Sequence, residues 1–359
     1  MNLKEYLKLD SGHLDRTELL CRKYKKMYED PDNCEPMFII NTPVALPPWE
    51  ERLADPMAML RAELDQLRPH LELEDDRTPT VRVQFGTAQI AAAFGCEMFI
   101  PTNSLPAAGS HVLKNAEDVY KLRPPSLEDG WYGKLKKYTD VFLENLPKGV
   151  HIQLPDIQSA FNSAHLIRGN DILLDFYDDS EALEALLDMI TDYMIELVPY
   201  LNGMINRENG WFFDWGALWK GAARISNCSM HMINPAMYLK HILPRDIRFM
   251  KAMGGGRIHY CGTNGQVIDE FFKNPEVTGL DYDLQYHDLW SLSDRAPKNL
   301  VLAAMQWGDR PEEMKSLVQR LLGGDWPKKR NIILQLEASS VAEGKELLKE
   351  LRKSVKKSI

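Results

Sequence analysis

The stretch GGGRIHYCG, residues 254–262, sets three glycines before a short β-prone run and then places His259 and Cys261 on either side of a single aromatic, Tyr260. In an extended strand the side chains at i and i+2 leave the same face. The imidazole and the thiol therefore sit together, just before the turn-forming Gly262-Thr263-Asn264-Gly265. An HxC pair is ordinarily core packing, because cysteine buries as a small hydrophobe and a strand histidine is usually just hydrogen-bonded. A strand end that opens onto a site is different. Zinc takes His nitrogen, Cys thiolate and carboxylate oxygen, and a catalytic zinc site needs three such ligands with one position left open.

Runs of the same kind recur outward from this one. They are TVRVQFG (80–86), GVHIQLP (149–155), WFFDW (211–215), RISNCSM (224–230), VTGLDYD (277–283), LVLAAMQ (300–306) and NIILQLE (331–337). Helical segments lie between several of them, such as residues 180–201, 234–253 and 310–322. Apolar strands alternating with helices predict an α/β fold, a (β/α)8 TIM-type barrel spanning residues 79–359. A doubly wound sheet is the competing arrangement. The barrel is favoured because polar residues gather at the C-terminal ends of the runs, where barrels carry their sites. Residues 1–78 read as an N-terminal helical extension, with the proline-rich NCEPMFIINTPVALPPW (33–49) as an exposed connector. Its segment 35–49 could serve as an arm joining a homo-oligomer.

Composition narrows the partners. Of 359 residues 44 % are hydrophobic and 26 % charged, which suits a soluble globular chain. The formal charge of −9 argues against nucleic acid, whose phosphates require a positive surface. Five scattered cysteines do not form a disulfide framework and point to a reducing compartment. With no apolar signal core at the N-terminus and no run long enough to span a membrane, the expectation is a cytoplasmic protein.

A third ligand for a His259–Cys261 metal has two sources. Glu337 ends the last strand-like run, and Cys228 ends the run preceding His259. Asp281 and Asp283 form a carboxylate pair at i, i+2 that would orient ligands, bind substrate or cap the strand end. Asp156 and Gln158 either touch substrate or cap the next helix. Asp214, between Phe213 and Trp215, is an acid candidate if buried. Trp215 and Trp307 are candidates for the wall of a substrate pocket, as is Tyr260. His231 and His287 read as structural.

Three stretches resemble the uroporphyrinogen decarboxylase superfamily: RVQFGTAQIAAAFGCE (82–97), residues 154–194 beginning LPDIQSAFN, and residues 234–262 with their sequel VTGLDYD. The resemblance runs from about residue 80 to 350 and points to the branch of zinc- and corrinoid-dependent methyltransferases. It implies a (β/α)8 barrel with its site at the C-terminal mouth. It also implies zinc, a corrinoid held by a separate carrier protein, and transfer of a methyl group between that corrinoid and a small methylated ether, amine or thiol. In that branch zinc is held by an H-x-C pair and a cysteine near the last strand. His259 and Cys261 match the pair, but no cysteine follows Cys261, and Glu337 stands near the missing position. The region ALPPWEERLADPMAM (45–59) lacks the arginine-rich motif by which the decarboxylases grip carboxylates. A lyase of that type is the first alternative. A non-catalytic barrel that has lost metal binding is the second.

Overall fold

A computed structural model describes residues 2–205, 208–305 and 311–358. Ten strands position the site: β1 (Met37–Asn41), β2 (Thr80–Val81), β3 (His151–Ile152), β4 (Trp211–Asp214), β5 (Ala217–Lys220), β6 (Ala223–Ser226), β7 (Gly256–Tyr260), β8 (Val277–Asp283), β9 (Val301–Met305) and β10 (Ile332–Glu337). The helices used below are α1 (Ser11–Glu29), α2 (Pro56–Leu73), α3 (Ala160–Arg168), α4 (Ser180–Met204), α5 (Leu243–Ala252) and α6 (Gly265–Phe272).

The fold is mixed α/β around a parallel central sheet. Six strands run in the order β1-β10-β9-β8-β7-β6, and every pairing is parallel. A separate parallel pair joins β2 to β3. Among the described residues no backbone ladder connects the two sheets, but side chains, individual backbone hydrogen bonds and one isolated bridge do. The Asp76 and Asp75 carboxylates accept the Phe38 and Ile40 N–H groups, each at 2.8 Å, along the β1 edge. At the β6 edge, Gln158 forms an isolated parallel bridge with Ser226.

Two expectations are corrected here. MFIIN lies within the segment read as an exposed connector, yet it is β1, buried over four of its five residues. Its prolines flank the strand and do not interrupt it, and the central sheet thus begins inside residues 1–78. WFFDW is not a strand of the parallel sheet. It pairs antiparallel with β5 as a hairpin whose two-residue tip, Trp215-Gly216, has φ of +49° and +74°. Positive φ at both positions is what a tight hairpin demands.

Period-2 alternation then creates two cores. Phe38, Ile40, Ile258, Tyr260, Leu280, Tyr282, Leu302, Leu334 and Leu336 face the helices. The other face presents Met37, Ile39, Val301, Ala303, Met305 and Ile333, which pack against Phe212, Leu218 and Trp219 of the hairpin and Tyr24 and Met27 of α1. Gly279 makes room for this: a Cβ there would lie 2.6 Å from the Trp219 ring. No described helix is long and apolar enough to cross a membrane.

Candidate metal centre

Register decides what meets what. On the hairpin face, Arg224 of β6 lies beside Arg257 of β7 and Gly279 of β8. The next row is Ser226, His259 and Asp281. Just past the ends of these strands come Cys261, directly after β7, and Cys228, which opens a 3-10 turn (Cys228–Met232) after β6, while Asp283 closes β8. Cys228, His259 and Cys261 accordingly converge, with one ligand atom from each lying within 4.8 Å of the others.

Each ligand is held from outside the group. Asn227 donates its backbone N–H to the His259 carbonyl at 2.9 Å and its side-chain amide to the buried Asp246 of α5 at 2.7 Å. Ser229 donates its N–H to Asn162 of α3 at 2.9 Å. The turn carrying Cys228 is therefore pinned on both sides. After Cys261, the Tyr260 hydroxyl accepts the Asn264 N–H at 3.0 Å, and His287 donates to the Gly262 carbonyl at 2.7 Å. His259 Nδ1 lies 2.5 Å from Asp281 Oδ2. That contact fixes the ring and leaves Nε2 as the nitrogen for a metal.

Two thiols and an oriented imidazole suit zinc, which is bound by this donor set with a fourth position for water or substrate. The electrostatics suit it as well. Cys261 is lowered to about 5, first by its hydrogen bond from Cys228 and then by His259, against the opposing effect of burial. Cys228, the donor of that bond, is raised, with burial adding to the effect. Burial pulls His259 down, but the charge and hydrogen bond of Asp281 outweigh it and the net shift is upward. For Asp281 burial acts upward, yet Arg257 and His259 bring it down to about 2.

A buried ion network underlies the metal group. Arg82 reaches Asp156 at 3.1 Å and also binds Asp214, which Arg257 grips from the other side. Arg224 binds the same Asp156, and Arg257 lies 3.0 Å from Asp281. The three guanidiniums face three carboxylates, all buried except Asp156, which keeps slight exposure.

The other sequence candidates fall as follows. Glu337 does not join the group: it is exposed at the end of β10, three strands from β7 in the sheet order. Cys228 takes the third place because β6 is the neighbour of β7. Asp214, the acid candidate, and Asp156, the candidate for substrate contact or helix capping, are both ion-pair partners of the arginines. Burial raises Asp156, yet Arg82, Arg224 and Arg257 lower it overall and keep it ionised at neutral pH. The cap of α3 is supplied by Ser159, not by Asp156 or Gln158. Gln158 keeps a buried Oε1 with no hydrogen-bond partner. Tyr260 is on the helix face, edge-on to Phe271 at 5.9 Å, so it braces the turn after Cys261 instead of facing a substrate. Asp281 orients His259. Asp283 accepts the Gln285 N–H at 2.9 Å and caps the strand end. Trp215 lines a cavity of about 280 Å³ with Arg82, Gln153 and Gln335. Trp307 lies outside the described residues.

Sequence reasoning missed the arginines. Their signal was present: Arg224-x-Ser226-x-Cys228 and Arg257-x-His259-x-Cys261 share one parity, which places each arginine on the ligand face.

No family model matches the chain. It is 28 % identical over 257 residues to a methylcobamide:CoM methyltransferase, MtbA, of Methanosarcina acetivorans, covering 67 % of this chain and 70 % of that protein. The MtbA of Methanosarcina mazei is 26 % identical over the same length and shares. Among solved structures, a methyltransferase from Methanosarcina mazei superposes with a TM-score of 0.68, covering 94 % of this chain and 98 % of that one. Sequence identity there is 14 %, so the likeness is one of fold.

Proposed function

We propose that this chain is a corrinoid-dependent methyltransferase in which zinc is held by Cys228, His259 and Cys261, and that its parallel sheets form one (β/α)8 barrel. The observation that carries the reading is the convergence of two cysteines and a carboxylate-oriented histidine at the ends of adjacent parallel strands. The methylcobamide:CoM methyltransferases to which the chain is similar support the reaction class. The linkage of β1 to the 75–76 segment and of β6 to Gln158 supports the barrel.

When bound, zinc supplies a Lewis acid that draws electron density from a substrate heteroatom or keeps a thiol deprotonated, and the corrinoid of a partner protein gives or takes the methyl group. The chain's own residues position the exchange. Asp281 holds the His259 proton on Nδ1, and Cys261 enters as thiolate. Arg224, Arg257 and Asp156 keep the floor of the site charge-balanced and dry. The substrate is a small methylated compound, and the direction of transfer follows from whichever partner carries the methyl group.

The alternatives lose their motives. A polycarboxylate-binding lyase needs several unengaged guanidiniums, whereas Arg82, Arg224 and Arg257 already hold carboxylates and leave Arg77 to meet many acid groups. The non-catalytic reading rested on the missing downstream cysteine, and the grouping of Cys228 with His259 and Cys261 weighs against it. The test is metal analysis of purified protein followed by incubation with cob(I)alamin and a panel of methyl donors, read by the spectral change on methylation. About one zinc per chain, lost in the His259→Ala, Cys261→Ala double variant, together with corrinoid methylation is the expected result. Metal-free protein that is inert to every donor overturns the proposal.

A further inference from the structure

The cavity of about 280 Å³ beside Trp215 is near the lower end of small-molecule clefts. It is built from groups whose bonding within the protein is incomplete. Gln335 donates its amide N–H to the Trp215 carbonyl at 2.8 Å, so its Oε1 remains to accept. Gln153 accepts the Gly216 N–H at 3.3 Å through Oε1, which leaves its amide nitrogen to donate. Gln66 spends its amide nitrogen on Ala62 and Glu63 and keeps its Oε1. Thr42 Oγ1 and Arg77 Nε are buried with no hydrogen-bond partner. The Arg77 side chain lies along Gly216, where a Cβ would come within 2.7 Å of it. The hairpin tip thus has a glycine where the arginine must pass, and it holds a bulky Trp215 at positive φ, a conformation that L side chains seldom adopt and that concentrates at functional sites.

The lining is also balanced in charge. Arg82 is answered by Asp156 and Asp214. The Arg77 charge is offset by the Asp75 and Glu63 carboxylates, and Glu63 itself accepts the backbone N–H of Arg82 at 2.8 Å. A sulfonate or carboxylate can only accept hydrogen bonds and would leave Glu63 and two amide carbonyls opposed to it. An ammonium can only donate and would meet Arg77. Hydroxyl groups both donate and accept, which is what a mixed array of amide N–H, amide carbonyl and guanidinium requires. Arg82 joins the cavity to the metal group, since it shares Asp156 with Arg224 of β6, the strand that leads into Cys228.

We infer that this cavity binds a small uncharged polyhydroxylated compound, and that the methylated substrate is an O-methyl ether of that class, such as an O-methylated sugar or cyclic polyol. The inference rests on the methyltransferase reading for its methyl group and on the cavity alone for the rest.

Titration calorimetry of the zinc-loaded full chain with 3-O-methylglucose, with ethanesulfonate and tetramethylammonium as charged probes, tests it. The expected result is saturable binding of the methylated sugar, weakened ~10-fold or more by Arg77→Met and by the milder Gln66→Leu, which spares the hairpin. The His259→Ala, Cys261→Ala variant should retain that binding. Binding of the sulfonate or the ammonium ion in preference to the sugar, or sugar binding indifferent to both cavity variants, overturns the inference. Corrinoid methylation is scored separately. A chain that methylates cob(I)alamin from a charged donor and ignores the sugar loses this inference and keeps its reaction class. Sugar binding without metal or methyl transfer does the reverse.

Discussion

Asp281 governs which nitrogen of His259 faces the two sulfurs. Asp281→Asn should lower zinc affinity by roughly 10- to 100-fold, the usual consequence of losing a carboxylate behind a ligating histidine, as measured by competition with a chromophoric chelator. An unchanged affinity would show that the ring is held by packing alone. Asp246 offers a second test. It is fully buried, and burial pushes it up to about 7 despite hydrogen bonds from Asn227 and Tyr238. The folded chain therefore keeps this proton up to about pH 7, while the unfolded chain releases it near the ordinary carboxyl value. Between those two values the folded state binds more protons, so this group's contribution to stability falls as pH rises and levels off above about 7. Asp246→Asn keeps an acceptor for both donors and removes the titration. Urea unfolding should show the variant gaining on the parent chain as pH rises from about 4 to about 7, and a constant difference across that range would refute the assignment.

Among the elements, the hairpin exerts the most control. Trp219 has no exposed surface and stacks under Arg257, whose guanidinium carbon lies 4.5 Å from the ring centroid. Gly279→Ala drives a methyl group into that ring and should cost about 1–3 kcal/mol in denaturant unfolding. Gly203, exposed near the end of α4 with open space around it, is the contrasting case. Gly203→Ala should stabilise by about 0.5–1 kcal/mol through helix propensity. Equal effects at the two positions would mean that the hairpin is not tightly seated. The hairpin also marks where the sequence was hardest to read. WFFDW has the composition of a buried strand, and composition does not distinguish pairing with the central sheet from pairing with the next six residues. Its Trp-Gly tip lacks the Asn-Gly or Asp-Gly signature of a two-residue loop. MFIIN was lost among prolines for a related reason, because flanking breakers look the same around a loop and around a short buried strand.

For the whole molecule, a ligand that binds the folded chain and not the unfolded one raises stability by mass action, by about 2.7 kcal/mol at 100 times its Kd. Zinc should therefore raise Tm in a concentration-dependent way, a chelator should reverse the rise, and His259→Ala should abolish the difference. A zinc response that survives the substitution would place the metal elsewhere. What could be read from sequence was the local periodicity. His259 and Cys261 do come together, and the runs from TVRVQFG to NIILQLE each contain a strand of the parallel sheets apart from the hairpin, although TVRVQFG and GVHIQLP keep only two strand residues and RISNCSM turns into a 3-10 helix at Cys228. What could not be read was adjacency between strands. Choosing Cys228 over Glu337 needed the knowledge that β6 borders β7, and the arginine–aspartate network needed the register of three strands at once.

The tryptophan-bearing hairpin fills the sheet face below the cysteines, with Trp219 wholly enclosed and Arg257 stacked on it. The metal group therefore rests on a solid base, and hollowing that base by Trp219→Leu should loosen the grip on zinc although no donor atom is touched.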